Sequence, residues 1–337
     1  MILREDLVKA FCRLSSKLDL TNQDLVDAIN KTFSNNSWLT PENYWKSINH
    51  WKSSLTKENI EDFIAKYTVT KNPQTIGVIM AGNIPMVGFH DLLCILLMGH
   101  KAQIKLSSED PYVISYFTSV LKTINSNLKD RIIIADKLHS IDAVIATGSN
   151  NSYRYFESYF KHLPRLLRKN RKSIAVLDGT ETEKELKLLA DDVLTYYGLG
   201  CRNVSQIFIP RDQEIEKVLD AMINYRDVIN HHKYANNYTY HKALLLLNNE
   251  QHLDTGFLLP KERRNILAPL ACIHYEYYDT IKEVETFIQE NKEDIQCIVG
   301  NYSSTKKIPF GKAQSPDLKD FADNINTLDF LSTLDSS

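Results

Sequence analysis

A chain of 337 residues with 40 basic and 42 acidic side chains, and hence a formal net charge of −2, presents no general basic field for nucleic acid. At about 150 residues per domain its length suggests two domains. Its longest apolar stretch, PMVGFHDLLCILLMG, is interrupted by His90 and Asp91 and falls short of the roughly 20 residues of a membrane-spanning helix. The start, MILREDLVKAF, is amphipathic, carries acidic residues and has no small-residue cleavage site, so it does not resemble a secretory signal. Five cysteines, Cys12, Cys94, Cys201, Cys272 and Cys297, are scattered without CxxC spacing. That pattern argues against a disulfide framework or a zinc site, so no metal is expected, and it favours reduced thiols in a cytoplasmic protein.

The first seventy residues read as helices, with Thr21, Thr40 and Thr56 as N-caps, Pro41 at a first helical position, and Trp38, Trp45 and Trp51 packed in a helical cap. From Thr75 the pattern alternates: strand TIGVIM, helix PMVGFHDLLCILLMG, strand KAQIKLS, helix PYVISYFTSVLKTI, then strands RIIIAD and AVIATGS. Strands alternating with helices predict βαβ units and a parallel sheet. The basic stretch SYRYFESYFKHLPRLLRKNRK reads as a solvated helix followed by a charged connector. A second alternating series follows: SIAVLDG, a helix, SQIFIP, the helix EIEKVLDAMINY, ALLLLN, ACIHYEYYD, the helix IKEVETFIQ, and IQCIVGN. The two series meet near Asn170, predicting an α/β protein of two lobes with a cleft between.

Four short stretches invite a chemical reading. In YYGLGCRNVSQIFIP two glycines end a helix and present Cys201 before an alternating strand. A short loop held at both ends is where a nucleophile would be placed, although a buried inert thiol explains it as well. In MAGNIP, Asn83 stands at a strand's carboxyl end, either donating into a ligand crevice or capping a helix that begins at Pro85. In KLSSEDP, Lys105 and the serines suit a phosphorylated ribose or simply a helix start. In IATGSNN, a helix begins at Ser149, where backbone N–H groups can take a pyrophosphate.

The order of Asn83, Lys105, Thr147, Gly148, Ser149, Gly200, Cys201 and the late Pro309, Phe310 and Gly311 resembles that of the aldehyde dehydrogenase superfamily. More narrowly, GNIPMVGFHDLLCILLMGHKAQIKLSSED, GLGCRNVSQIFIP and FGKAQSPDLKDFADNINTLDFL resemble the acyl-CoA reductases related to the bacterial luminescence fatty-acyl reductase, over about 75–330. The resemblance implies an aldehyde-dehydrogenase-like fold of two Rossmann-like lobes behind an N-terminal helical segment. The cofactor lobe is expected over 1–172 with a return at 308–337, and the catalytic lobe over 173–307. It implies an acyl thioester on Cys201, reduced to an aldehyde by a nicotinamide cofactor, with Asn83 and the Cys201 N–H as oxyanion donors. Lys105 and Ser108 fall at the adenosine end, Thr147, Gly148 and Ser149 near the pyrophosphate, and Asn265 and Phe310 toward the nicotinamide.

Three departures from the superfamily matter. The glutamate that activates water in hydrolytic members has no counterpart in RLLRKNRKSIAVL. The glutamate that holds the nicotinamide ribose aligns with Asn265. The acidic position beside the lysine falls near Ser108, with Glu109 one place later, which favours NADPH over NADH. The expected reaction is therefore NADPH-dependent reduction of an acyl-CoA or other acyl thioester. An acyl phosphate reductase of the same fold and a catalytically silent binding protein are the alternatives. Expected partners are the acyl thioester, a second copy of the chain and an acyl-donating protein.

Overall fold

The computed structural model describes residues 3–301 and 307–334. The chain divides into two compact units, Met1–Asn170 with Asp317–Ser337, and Arg171–Pro316. The first opens with helices α1 (Arg4–Ser15), α2 (Gln23–Asn35), α3 (Pro41–Ser54) and α4 (Lys57–Phe63). Thr40 and Thr56 cap α3 and α4, and Pro41 takes the first position of α3. α2 is capped by Asn22, not the expected Thr21, because the Asn22 carboxamide oxygen reaches the Leu25 N–H at 3.3 Å. Leu7, Phe11 and Leu14, at helical spacing on α1, are buried completely.

The sheet of this unit follows as β1 (Thr75–Ile79), α5 (Phe89–Leu97), β2 (Lys101–Lys105), α6 (Tyr112–Ile124), β3 (Ile132–Ile134), β4 (Ala143–Thr147), α7 (Asn150–Tyr159) and β5 (Arg165–Arg168). All strands are parallel, in the order β3-β2-β1-β4-β5. The order reverses between β1 and β4, so the ligand crevice of such a sheet lies at the carboxyl ends of these two strands.

Two further expectations fail in this unit. α5 starts at Phe89, four residues later than Pro85, because Met86 and Gly88 take left-handed conformations (φ 65° and 86°) and form a turn. The basic stretch after α7 is not a connector: beyond Pro164 it adds β5, pairing Leu166 with Ile145 and Arg168 with Thr147. Arg168 is only 5% exposed. Its guanidinium donates to Asp91 of α5 and, at 2.9 Å, to the hydroxyl of Thr327. Removing one partner of such a buried pair leaves an uncompensated charge, so Asp91→Asn is expected to lower stability by about 3–5 kcal/mol. Equilibrium denaturation checks this; an unchanged midpoint would show that the pair carries no stability.

The second unit contains β6 (Lys172–Val176), α8 (Glu183–Leu194), β7 (Val204–Pro210), α9 (Ile215–Ala221), α10 (His232–Leu247), β8 (Leu259–Glu262), β9 (Cys272–Tyr278), α11 (Ile281–Glu290), β10 (Ile295–Val299) and β11 (Lys307–Ile308). Its parallel sheet runs β11-β10-β6-β7-β9-β8, over a core that includes Ile174, Val176, Phe208, Phe287 and Ile295. ALLLLN, grouped with the strands, is instead the last turns of α10, where the helix from His232 continues unbroken and leaves Leu246 and Leu247 exposed. β8 supplies the strand next to β9. Residues 308–316 stay with this unit; the chain returns to the first unit at Asp317, not at about 308, and ends there with α12 (Thr327–Thr333).

Candidate active site

In the first unit Asn83, Lys105, Ser108, Thr147, Gly148 and Ser149 all follow or end β1, β2 and β4, so the structure brings them to the carboxyl edge of one sheet. Asn83 is exposed. It caps no helix, since the N-cap of α5 is Gly88, and the capping alternative for Asn83 is thereby removed. Gly82 is needed for a close approach: a Cβ there would lie 2.6 Å from Ser107 Oγ and 2.8 Å from Glu109 Cβ. Two asparagines that the sequence reading missed tie the end of α2 to these strand ends. Asn36 Nδ2 donates to Gly82 O at 3.3 Å and Asn35 Nδ2 to Ser108 O at 2.7 Å. Burial pushes the Asp110 carboxyl up to about 6, against the hydrogen bonds it accepts from Tyr44 and the Met86 N–H.

Lys105 and Ser108 are exposed at the end of β2. Ser149 is the N-cap of the ten-residue α7, its Oγ accepting from Ser152 N at 3.2 Å. At Gly148 a Cβ would sit 2.7 Å from Ser152 Cβ, so the backbone approaches the helix start as only glycine allows. A switch point between β1 and β4, a glycine entering a helix N-terminus, and an exposed lysine at the next strand end suit a dinucleotide.

In the second unit the Cys201 turn explains why the chain stops there. After α8, Tyr196 (φ 55°, ψ 30°), Tyr197 (φ 57°, ψ 22°) and Gly198 (φ 77°) are left-handed in succession. For a tyrosine this conformation costs roughly 1–2 kcal/mol and needs support from its surroundings. Asn203 supplies much of it. Its Nδ2 donates to the carbonyls of Asp192, Val193 and Thr195 at 3.2, 3.1 and 2.9 Å, and its Oδ1 accepts from Gly200 N at 2.8 Å. The Tyr197 ring packs 4.6 Å from that of His231. Lys172 Nζ donates to Gly198 O at 2.9 Å and Gly200 O at 3.4 Å, and Ser173 Oγ to Cys201 O at 3.1 Å. Cys201 itself is half-buried on the turn.

The other thiols are poor nucleophiles. Burial raises Cys12 and, further, Cys94, pushes Cys272 up to about 12 and Cys297 to about 11. They stay protonated at neutral pH, and the thiol is not the attacking form.

Asp192 links the Cys201 turn to the Phe310 loop. While Asn203 binds its carbonyl, its carboxylate accepts from Gly311 N at 2.6 Å and Ala313 N at 2.9 Å. Phe310 is 5% exposed, with its ring against Gly300. Asn265 turns its Oδ1 onto Leu267 N at 2.8 Å, while its own N–H donates to Gln206 Oε1 at 3.0 Å. Among the described residues no group of three His, Cys, Asp or Glu could hold a metal ion, and no helix is long and apolar enough to cross a membrane.

The family model described as "Acyl-CoA reductase (LuxC)" matches residues 57–243, more than half of the chain. The chain belongs to the acyl-CoA reductase (LuxC) family. Solved structures show the same fold. A Mycobacterium tuberculosis aldehyde dehydrogenase complexed with NAD+ superposes with a TM-score of 0.63 at 14% identity, over 88% of this chain and 72% of that one. Aldehyde dehydrogenase 21 from Physcomitrella patens, in complex with succinate, gives 0.67 at 8% identity, over 97% and 79%. An NAD+ complex of aldehyde dehydrogenase from Bacillus cereus gives 0.63 at 12%, over 90% and 73%. No curated protein matches the chain. This acyl-CoA reductase family member thus has the aldehyde dehydrogenase fold and is an aldehyde-related oxidoreductase enzyme.

Proposed function

We propose that the chain reduces an acyl-CoA, or another acyl thioester, to the aldehyde through a thioester on Cys201, with NADPH preferred over NADH. The observation that carries this reading is the Cys201 turn: strained backbone, held by Asn203, Lys172 and Ser173, presents a half-buried cysteine at the entrance to β7, in a chain of the acyl-CoA reductase family. The Cys201 thiolate attacks the acyl carbonyl, the carbon–sulfur bond to CoA breaks, and CoA leaves as its thiolate, which takes a proton from solvent. Developing negative charge on the carbonyl oxygen needs donors aimed at it, and the Cys201 N–H and Asn83 Nδ2 are assigned that role.

A nicotinamide cofactor, when bound, supplies the hydride. The residues that would hold it are Thr147, Gly148 and Ser149 at the start of α7 for the pyrophosphate, with Lys105 and Ser108 at the end of β2 for the ribose and its 2′-phosphate. Asn265 and Phe310 shape loops on the nicotinamide side, since one commits its oxygen to Leu267 and the other is buried.

Purified protein given a panel of acyl-CoAs should form aldehyde, with a higher kcat/KM for NADPH than for NADH. Lys105→Ala should remove a charge-assisted contact worth about 1.5–3 kcal/mol, a roughly 10- to 100-fold loss with NADPH and a smaller one with NADH. Equal efficiency with both cofactors would sink the preference. Aldehyde formed from acyl phosphates and never from acyl-CoA would replace the donor.

A further inference from the structure

We infer that Lys172 is the positioning residue of the nucleophile: its ammonium clamps the Gly198 and Gly200 carbonyls, fixes the turn that presents Cys201, and sets a positive charge beside its thiolate. The inference rests on Cys201 being the nucleophile proposed above. Parallel pairing dictates the placement. β6 and β7 are neighbours, with Ser173 opposite Val204, so the first residue of β6 stands beside the turn that enters β7. The side chain is half-buried there, and its two acceptors flank Leu199, directly at the end of the left-handed run Tyr196, Tyr197 and Gly198. Carbonyl acceptors favour the charged form of an amine.

Burial lowers the Lys172 pKa, while the charge of Cys201 raises it. Such an interaction is mutual: whatever the thiolate does for the ammonium, the ammonium does for the thiolate. Three other groups stand around the turn, and Arg202, next in sequence to Cys201, is a second cation there. The Asp192 carboxylate is engaged by the Gly311 and Ala313 N–H groups. Cys297, pushed up to about 11, stays a thiol beside Ser173, and Arg202 acts on Cys297.

The test is the pH profile of Cys201 alkylation by iodoacetamide in the full chain, read on the Cys201 peptide by mass spectrometry. The wild-type midpoint should lie below the roughly 8.5 of a free cysteine. Lys172→Gln keeps a donor and removes the charge. Losing a neighbouring cation raises a thiol's pKa, so the midpoint should move up by about one pH unit, with alkylation near pH 7 about tenfold slower. Lys172→Arg should restore most of the rate. Should Lys172→Gln fail to fold, the reciprocal measurement uses Cys201→Ser. Without the thiolate the Lys172 pKa falls, and the amine should label faster with trinitrobenzenesulfonate in mildly alkaline buffer. Superimposed alkylation profiles, or unchanged Lys172 labelling, would overturn the clamp. Cys201 acylated by acyl-CoA alongside superimposed profiles would refute the clamp alone. A shifted profile in a protein that no acyl-CoA acylates would refute the reaction alone.

Discussion

Cys201→Ala is expected to abolish both acylation and aldehyde formation. Intact mass after incubation with acyl-CoA, without cofactor, should show a single adduct on the wild type, released by neutral hydroxylamine as a thioester is, and none on the variant. The expectation is all-or-none because the remaining thiols cannot substitute. Cys94 is buried completely, and Cys272 and Cys297 are pushed up to about 12 and 11. At neutral pH their thiolate fractions are negligible. Asn83→Ala tests the second donor under the same conditions. Loss of one oxyanion donor typically lowers the rate about 10²–10³-fold, and the effect cannot be blamed on a lost helix cap because Gly88 holds that position. An adduct that persists in Cys201→Ala, or maps to Cys94, Cys272 or Cys297, would remove the nucleophile from the scheme.

The fold was readable where pattern and burial agree. Strands such as TIGVIM and SQIFIP are short apolar runs bounded by polar punctuation, and they are buried along nearly their whole length, as strands of a parallel sheet covered on both faces are. It was unreadable where charge disguised burial. Arg165–Arg168 looks like solvated chain, but Asp91, far off in sequence, neutralises Arg168 and admits β5 to the sheet. The run ALLLLN misleads in the opposite way, being as apolar as a buried strand yet exposed at the end of α10.

The order of candidate residues is likewise a sequence property, whereas the supports of Cys201 are not. Asn203 acts through four backbone groups and Lys172 through two carbonyls, and no spacing rule marks a side chain that serves main-chain atoms of a strained turn. The glycines of YYGLGC could have suggested strain, but the two tyrosines that share it could not, since bulky residues seldom adopt positive φ.

The acyl-enzyme is expected to wait for its reductant. A thioester on Cys201 can be discharged by hydride, giving aldehyde, or by water, giving acid. Water attack needs a general base, worth typically about 10²–10⁴-fold. Three carboxylates of the second unit that stand between β6 and the Cys201 turn in sequence, Asp178, Glu181 and Asp192, are badly placed or already occupied. Asp178 and Glu181 follow the carboxyl end of β6, whereas the Cys201 turn meets its amino end at Lys172. A five-residue strand separates the two ends, about 17 Å at roughly 3.3 Å per residue. Glu181 is also committed to the N–H groups of Asp178 and Gly179, at 2.7 and 3.1 Å. Asp192 is nearer, but two N–H donors stabilise its charged form and weaken it as a base. The residues that border the thiol, Lys172 and Arg202, are cationic side chains. Acylated protein isolated without cofactor should therefore release acid slowly, about 10²–10⁴ times below the rate of reduction, and should discharge to aldehyde when NADPH is added. Run in reverse, aldehyde with NADP+ should yield acyl-CoA when CoA is present and little acid when it is not. Acid appearing without CoA at a rate near that of reduction would mean that a working base stands at the thioester, and the hydride-only account of Cys201 would have to be given up.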